Sequence, residues 1–138
     1  MSSPFKLLQV CNVGRVTGGT AACAWTVTRC FPEFHHAVLF LSPPDAETEC
    51  VWQGCEIHHA KQVTNELLEQ LAPDLILFHN THPTKCQFEE LHVPSVAYLH
   101  SATNIVPADL TIACSHWLTE QRAEFAALPV VHQAVPMP

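Results

Sequence analysis

Charge is scarce in this chain: Asp, Glu, Lys and Arg make up only 14% of its 138 residues. The six basic residues (Lys6, Arg15, Arg29, Lys61, Lys85, Arg122) are scattered, so there is no basic stripe to receive nucleic acid. No apolar run is long enough to cross a bilayer, and the N-terminus lacks the charged-then-apolar layout of a secretory leader. A cytoplasmic protein without a transmembrane segment is the expectation. No C-x-x-C pair is present, and seven cysteines is an odd count for a disulfide framework. Cys11, Cys23, Cys30, Cys86 and Cys114 fall in predicted strands or helices, which suits buried reduced thiols; only Cys50 and Cys55 lie in loop-like sequence. Gly14, Gly18 and Gly19 lack G-x-G-x-x-G spacing and no P-loop Lys-Ser/Thr follows them, which disfavours a dinucleotide dehydrogenase and a P-loop enzyme. No H-E-x-x-H motif, internal repeat or low-complexity stretch occurs. What is there is apolar: 48% hydrophobic residues and a net charge of -7 describe one foldable domain, neither disordered nor a coiled coil.

The chain is organised around Phe5 to Phe31. An apolar run, Phe5 to Cys11, predicts a buried strand, although periodicity alone does not separate it from buried helix. A turn carrying Gly14, Gly18 and Gly19 follows, then a helical period from Thr20. That period puts Ala21, Trp25 and Thr28, with Ala24, Val27 and Phe31, on adjoining stripes of one helix face. Strand, glycine turn and helix open a doubly wound α/β domain. Gly18 and Gly19 either bring the backbone close to an anion at the helix start or merely permit a tight turn.

Further strands are predicted at His36–Leu41, Cys55–His58, Asp74–His79, Val93–Leu99 and Leu110–Cys114, with a last one from Pro129 to Gln133. Ala46 to Gly54 reads as irregular, with Val51 and Trp52 covering a sheet edge. Val63, Leu67, Leu68 and Leu71 predict a helix that Pro73 ends, and Thr84 to about Leu91 a short one. Ser115 caps a helix carrying Leu118, Phe125 and Leu128 inward. The fold expected is a single Rossmann-like, three-layer α/β domain over residues 1–138, with a mostly parallel sheet of about six to seven strands.

Polar residues gather where the apolar runs end: Asn12 to Gly19, His79 to His82, His100 to Asn104, and Ser115-His116. A parallel sheet puts all four on one rim, which predicts a ligand cleft there, with Asn12, His79, Asn80 and Ser115 as binding residues. Among ten histidines, the pairs His35-His36 and His58-His59 point to opposite faces of a strand and chelate poorly. His79, His82 and His100 are the histidines that could converge on a Zn²⁺-type site. With no compact ligand motif, no metal and no cofactor are expected. Trp25 reads as core, Glu89 and Glu90 as a solvated helix face, and Cys11 and Cys114 as small apolar fillers.

Four segments together resemble the N-terminal, acceptor-side domain of retaining glycosyltransferases of the GT-B fold, in particular the large family four. They are Leu7-Leu8-Gln9-Val10 leading into Gly18-Gly19; Pro73 to Asn80; Pro94 to His100; and Ala108 to Ser115. The resemblance spans nearly the whole chain. It implies sugar transfer from a nucleotide-sugar donor to an acceptor, neither specified further, with Gly18 and Gly19 near the donor diphosphate and His100 as the catalytic residue beside the transferred sugar. Such enzymes hold most of the donor on a second Rossmann-like domain, in the same gene or on another chain, and residues 134–138 fall where the interdomain linker would start. The chain alone is then expected to be inactive and prone to self-association. A non-catalytic binding or assembly module is the alternative.

Overall fold

The computed structural model describes residues 4–16 and 19–132. In chain order the strands are β1 (Lys6–Cys11), β2 (His35–Phe40), β3 (Glu56–His59), β4 (Val63–Thr64), β5 (Leu75–His79), β6 (Cys86–Gln87), β7 (Ser95–Leu99) and β8 (Leu110–Ala113). The helices are α1 (Gly19–Cys30), α2 (Ala46–Val51), α3 (Asn65–Leu71) and α4 (His116–Thr119). Six strands form one sheet in the order β3-β2-β1-β5-β7-β8, every neighbouring pair parallel. This is the Rossmann-like order, with a reversal between β1 and β5.

Near-continuous apolar strands are what a parallel sheet covered on both faces requires. On one face Leu8, Val10, Ala37, Leu39, Ile76 and Phe78 pack with Leu68 and Leu71 of α3. On the other, Cys11, Val38 and Phe40 meet Ala24 of α1 and Trp52. A third cluster, around Leu99, Ala113, Leu118 and Phe125, closes the β8 end. Each large side chain buried in this way contributes roughly 1.5–3 kcal/mol.

Several local expectations are corrected. Ala46–Val51 is helical, because Asp45 accepts the Thr48 amide at 2.8 Å and Glu47 and Glu49 suit the positive start of a helix. Trp52 is fully buried, donating its indole N–H to the Gly14 carbonyl at 2.8 Å and packing edge-on against Phe40. Thr84 to Leu91 is not a helix: a single 3₁₀ turn at Pro83–Lys85 gives way to β6, which pairs with β4. Val63 sits in that pair, and Thr64 caps α3. Phe31 lies beyond α1 and stacks on Phe34, while Cys23 faces the core in its place. Glu89 and Glu90 are exposed, but on extended chain.

Ser115 accepts the Leu118 amide, as its position suggests, yet α4 has only four residues; Phe125 is buried from a separate 3₁₀ turn. The last predicted strand reduces to one parallel bridge from Val130 to Ala113; Gln133 lies outside the described residues. There the Ala113 amide donates to Pro129 and the Val131 amide to Ala113, both at 2.9 Å. Cys11 and Cys23 are buried, Cys55, Cys86 and Cys114 half-buried, and Cys30 and Cys50 exposed. Among the described residues no helix is long and apolar enough to cross a membrane.

Candidate functional site

The strand order reverses between β1 and β5, and the carboxyl ends of the strands at such a reversal are where α/β sheets bind ligands. The outer layer there is a polar knot centred on Asn80. Asn80 follows β5 in the left-handed conformation (φ 53°), which asparagine tolerates better than most residues. Its carbonyl accepts from Asn12 Nδ2 at 3.1 Å and Asn104 Nδ2 at 3.2 Å, and its Oδ1 accepts from Ser101 Oγ at 2.9 Å. Its amide donates to Tyr98 O at 3.1 Å. Residues following β1, β5 and β7 are thereby tied together.

Beneath it is a buried layer. Gln9 is the one buried polar side chain of β1; it is 0% exposed and donates Nε2–H to the Ala24 carbonyl at 2.9 Å. That contact turns Gln9 Oε1 toward His79 Nε2, 2.7 Å away. An amide oxygen only accepts, so Nε2 of His79 carries the proton and Nδ1 keeps its lone pair. His79 Nδ1 is buried with no hydrogen-bond partner, an arrangement that costs about 1–3 kcal/mol. Burial, with His100 nearby, pushes the His79 imidazole down to about 3, so the ring is neutral near pH 7.

Tyr98 and His100 complete the layer. Their rings lie 4.6 Å apart, and His79 is 5.9 Å from Tyr98 and 6.0 Å from His100. Burial, the Cys23 and Cys114 thiols and a hydrogen bond with Cys23 raise the Tyr98 hydroxyl's pKa; that hydroxyl donates to the Val131 carbonyl. Solvent reaches neither ring nitrogen of His100. Cys23, reaching in from α1, brings one ligand-capable atom within 4.8 Å of one on His79 and one on His100, and those two lie within the same distance of each other.

Of the residues singled out from sequence, Asn12, His79, Asn80 and His100 come together here. Ser115 does not join them: it follows β8 and its hydroxyl is taken up in capping α4. Gly19 is the exposed first residue of α1, and Gly18 lies outside the described residues. His82 points elsewhere, its Nδ1 2.7 Å from the Thr84 hydroxyl at an exposed turn. Gln9, Cys23, Tyr98, Ser101 and Asn104 are additional members. Gln9 left a signal in the sequence, since a lone polar residue within an apolar strand needs a buried partner; Cys23 left none, because its neighbours come from distant strands.

A separate cleft of about 250 Å³ lies between Trp25, Arg29, His35, His36 and Val51 to Cys55. It opens beside the amino-terminal end of β2, away from the carboxyl rim, and Arg29 there stacks on Trp25 at 4.8 Å. Set against known proteins, the chain matches no protein-family model and no curated protein sequence. The glycosyltransferase resemblance rests on the four sequence segments alone.

Proposed function

We propose that this domain is the acceptor-side half of a glycosyltransferase that draws on a nucleotide-sugar donor. The observation that supports the reading most is the coincidence of a 3-2-1-4-5-6 order among the six sheet strands with a polar cluster at its reversal. On this reading the start of α1 at Gly19 offers backbone amides and the positive helix end to the donor diphosphate, which the resemblance also assigns to Gly18. Asn12, Asn80 and Ser101 present oxygens and amide hydrogens at the height of the sugar, with His100 behind them. Catalysis is mainly positioning and stabilisation of the departing diphosphate, and a second domain grips the rest of the donor.

The test is a titration of the isotope-labelled chain with nucleoside diphosphates and nucleotide sugars. Amides of Asn12 to Val16, Gly19 to Ala21, Asn80-Thr81 and Ser101 to Asn104 should shift together, without turnover by the chain alone. Shifts confined to the Trp25–Cys55 cleft, or none at millimolar ligand, would remove the proposal.

One observation favours a second reading, a non-catalytic binding or assembly module. Asn12, Ser101 and Asn104 spend their hydrogen bonds on Asn80, so the knot serves as a brace as well as a ligand surface. Rim shifts with unmodified sugars or nucleosides, and none specific to diphosphates, would select that reading.

A further inference from the structure

We propose that Cys23, His79 and His100 form a binding site for a single borderline-soft metal ion of the Zn²⁺ class. The site does not depend on the sugar-transfer reading and stands or falls on metal binding alone. One ligand atom from each residue lies within 4.8 Å of the other two. Tetrahedral ligands at 2.0–2.3 Å from zinc stand roughly 3.3–3.8 Å apart, so a contraction of at most about 1–1.5 Å encloses the ion. One thiolate and two imidazoles are the donor set that zinc and copper prefer over calcium or magnesium.

The second observation is independent of that proximity. His79 is 0% exposed, and its Nδ1 has no hydrogen-bond partner. Its other nitrogen is committed to Gln9 Oε1 at 2.7 Å, and Gln9 is itself held by Ala24 O at 2.9 Å. A metal-binding histidine characteristically has this arrangement, with the far N–H given to a carbonyl oxygen so that the near nitrogen presents its lone pair. Gln9 is thus a positioning residue. The three ligands come from α1, the end of β5 and the residue after β7, so a bound ion would fasten a helix to two strands at the carboxyl rim. A fourth tetrahedral position remains for water or for an oxygen of a ligand.

His35, His36, His58, His59, His82 and the exposed thiols Cys30 and Cys50 are elsewhere and could bind metal adventitiously, so the experiment must separate them. The reduced, metal-stripped chain is titrated with Co²⁺ alone and then with Zn²⁺. The result expected is one equivalent of tetrahedral cobalt with a thiolate-to-cobalt charge-transfer band, displaced by zinc. Cys23→Ser should abolish the band and His100→Gln should weaken binding at least tenfold, whereas Cys30→Ser should change neither. Should Cys23→Ser fail to fold, ring-nitrogen spectra of the wild-type chain decide: Zn²⁺ should move the Nδ1 resonance of His79, and Gln9's side-chain amide with it. No charge-transfer band, a band that survives in folded Cys23→Ser, or His79 signals unmoved by zinc would overturn the proposal.

Discussion

Gly14→Ala adds one methyl group where the β1–α1 loop rests on α2, and the consequence can be worked out atom by atom. A Cβ built on Gly14 would sit 2.2 Å from Thr48 Cγ2 and 2.9 Å from Phe40 Cε1 and Cζ. Carbon atoms in contact settle at about 3.5–4.0 Å, so Thr48 would have to retreat by more than about 1 Å. It has little room. Thr48 is 3% exposed, with its amide held by Asp45 at 2.8 Å, and Phe40, the last residue of β2, is fully buried edge-on against Trp52. Gly14 is not among the positive-φ residues, so the whole penalty is steric. Overpacking of this kind costs about 1–3 kcal/mol. The displaced loop would also strain the Trp52–Gly14 hydrogen bond, which places the expectation near the upper end. At about 4 °C per kcal/mol, melting should fall by roughly 8–12 °C.

The assay is a double-mutant cycle by urea denaturation. Thr48→Ser removes Cγ2, the nearest obstacle, and keeps the hydroxyl. In that background Gly14→Ala should cost at least about 1 kcal/mol less than in the wild type, because contacting residues couple. A neutral Gly14→Ala, or penalties additive to within about 0.5 kcal/mol, would refute the packing argument.

Other outcomes follow from single contacts. Trp52→Phe leaves the buried Gly14 carbonyl without its donor and should cost about 1–3 kcal/mol, with loss of the most blue-shifted tryptophan emission, since Trp117 is 65% exposed; unchanged emission would show that Trp52 is not buried. Ala72→Gly should stabilise. Ala72 ends α3 in the left-handed region (φ 48°), which costs alanine roughly 1–2 kcal/mol, against about 0.4–1 kcal/mol of extra unfolded-state freedom for glycine; a lower denaturation midpoint would contradict this. Hydrogen bonds from Lys6 and then His58 hold the Glu56 carboxyl down at about 2. Its folded pKa is therefore below its unfolded value near 4.5, so its contribution is present above pH about 4.5 and is lost as pH falls toward 2. Glu56→Gln should flatten the acid limb of the stability curve in that window, and parallel limbs for the two proteins would count against the linkage.

How much of this was legible in the sequence varies with the range of the forces involved. Asp74–His79 and Phe5–Cys11 announced their strands, because a sheet covered on both faces demands near-continuous apolar runs. Ala46–Val51 was hidden, since a six-residue helix has no room for an amphipathic period and depends on its cap; Asp45 with Glu47 and Glu49 was the overlooked signal. Thr84 to Leu91 misled because Phe88 and Leu91 fall at helical spacing, while their actual partners are in the core cluster beside Val63. The rim followed from parallel topology alone, which correctly gathered Asn12, His79, Asn80 and His100. Topology also explains two of the misses. Ser115 ends an outlying strand and is absorbed by its helix, and Cys23 meets the histidines only through a strand order that no local pattern encodes.

The single rung between Ala113 and Val130 also bears on how the chain is made. β8 is an edge strand, with Leu110 48% exposed, and unpaired strand edges invite other chains to add to them. Residues 129–131 meet that edge, and Tyr98, one strand further in, holds Val131 by its hydroxyl. Translation delivers β8 before this cover. For the interval in which about seventeen further residues emerge, at about 5–20 residues per second, the newborn sheet carries an unguarded selvedge. Crowded ribosomes translating this message would therefore bring sticky edges of sibling chains close together for about a second or more, and the Tyr98 latch closes that window from within the molecule.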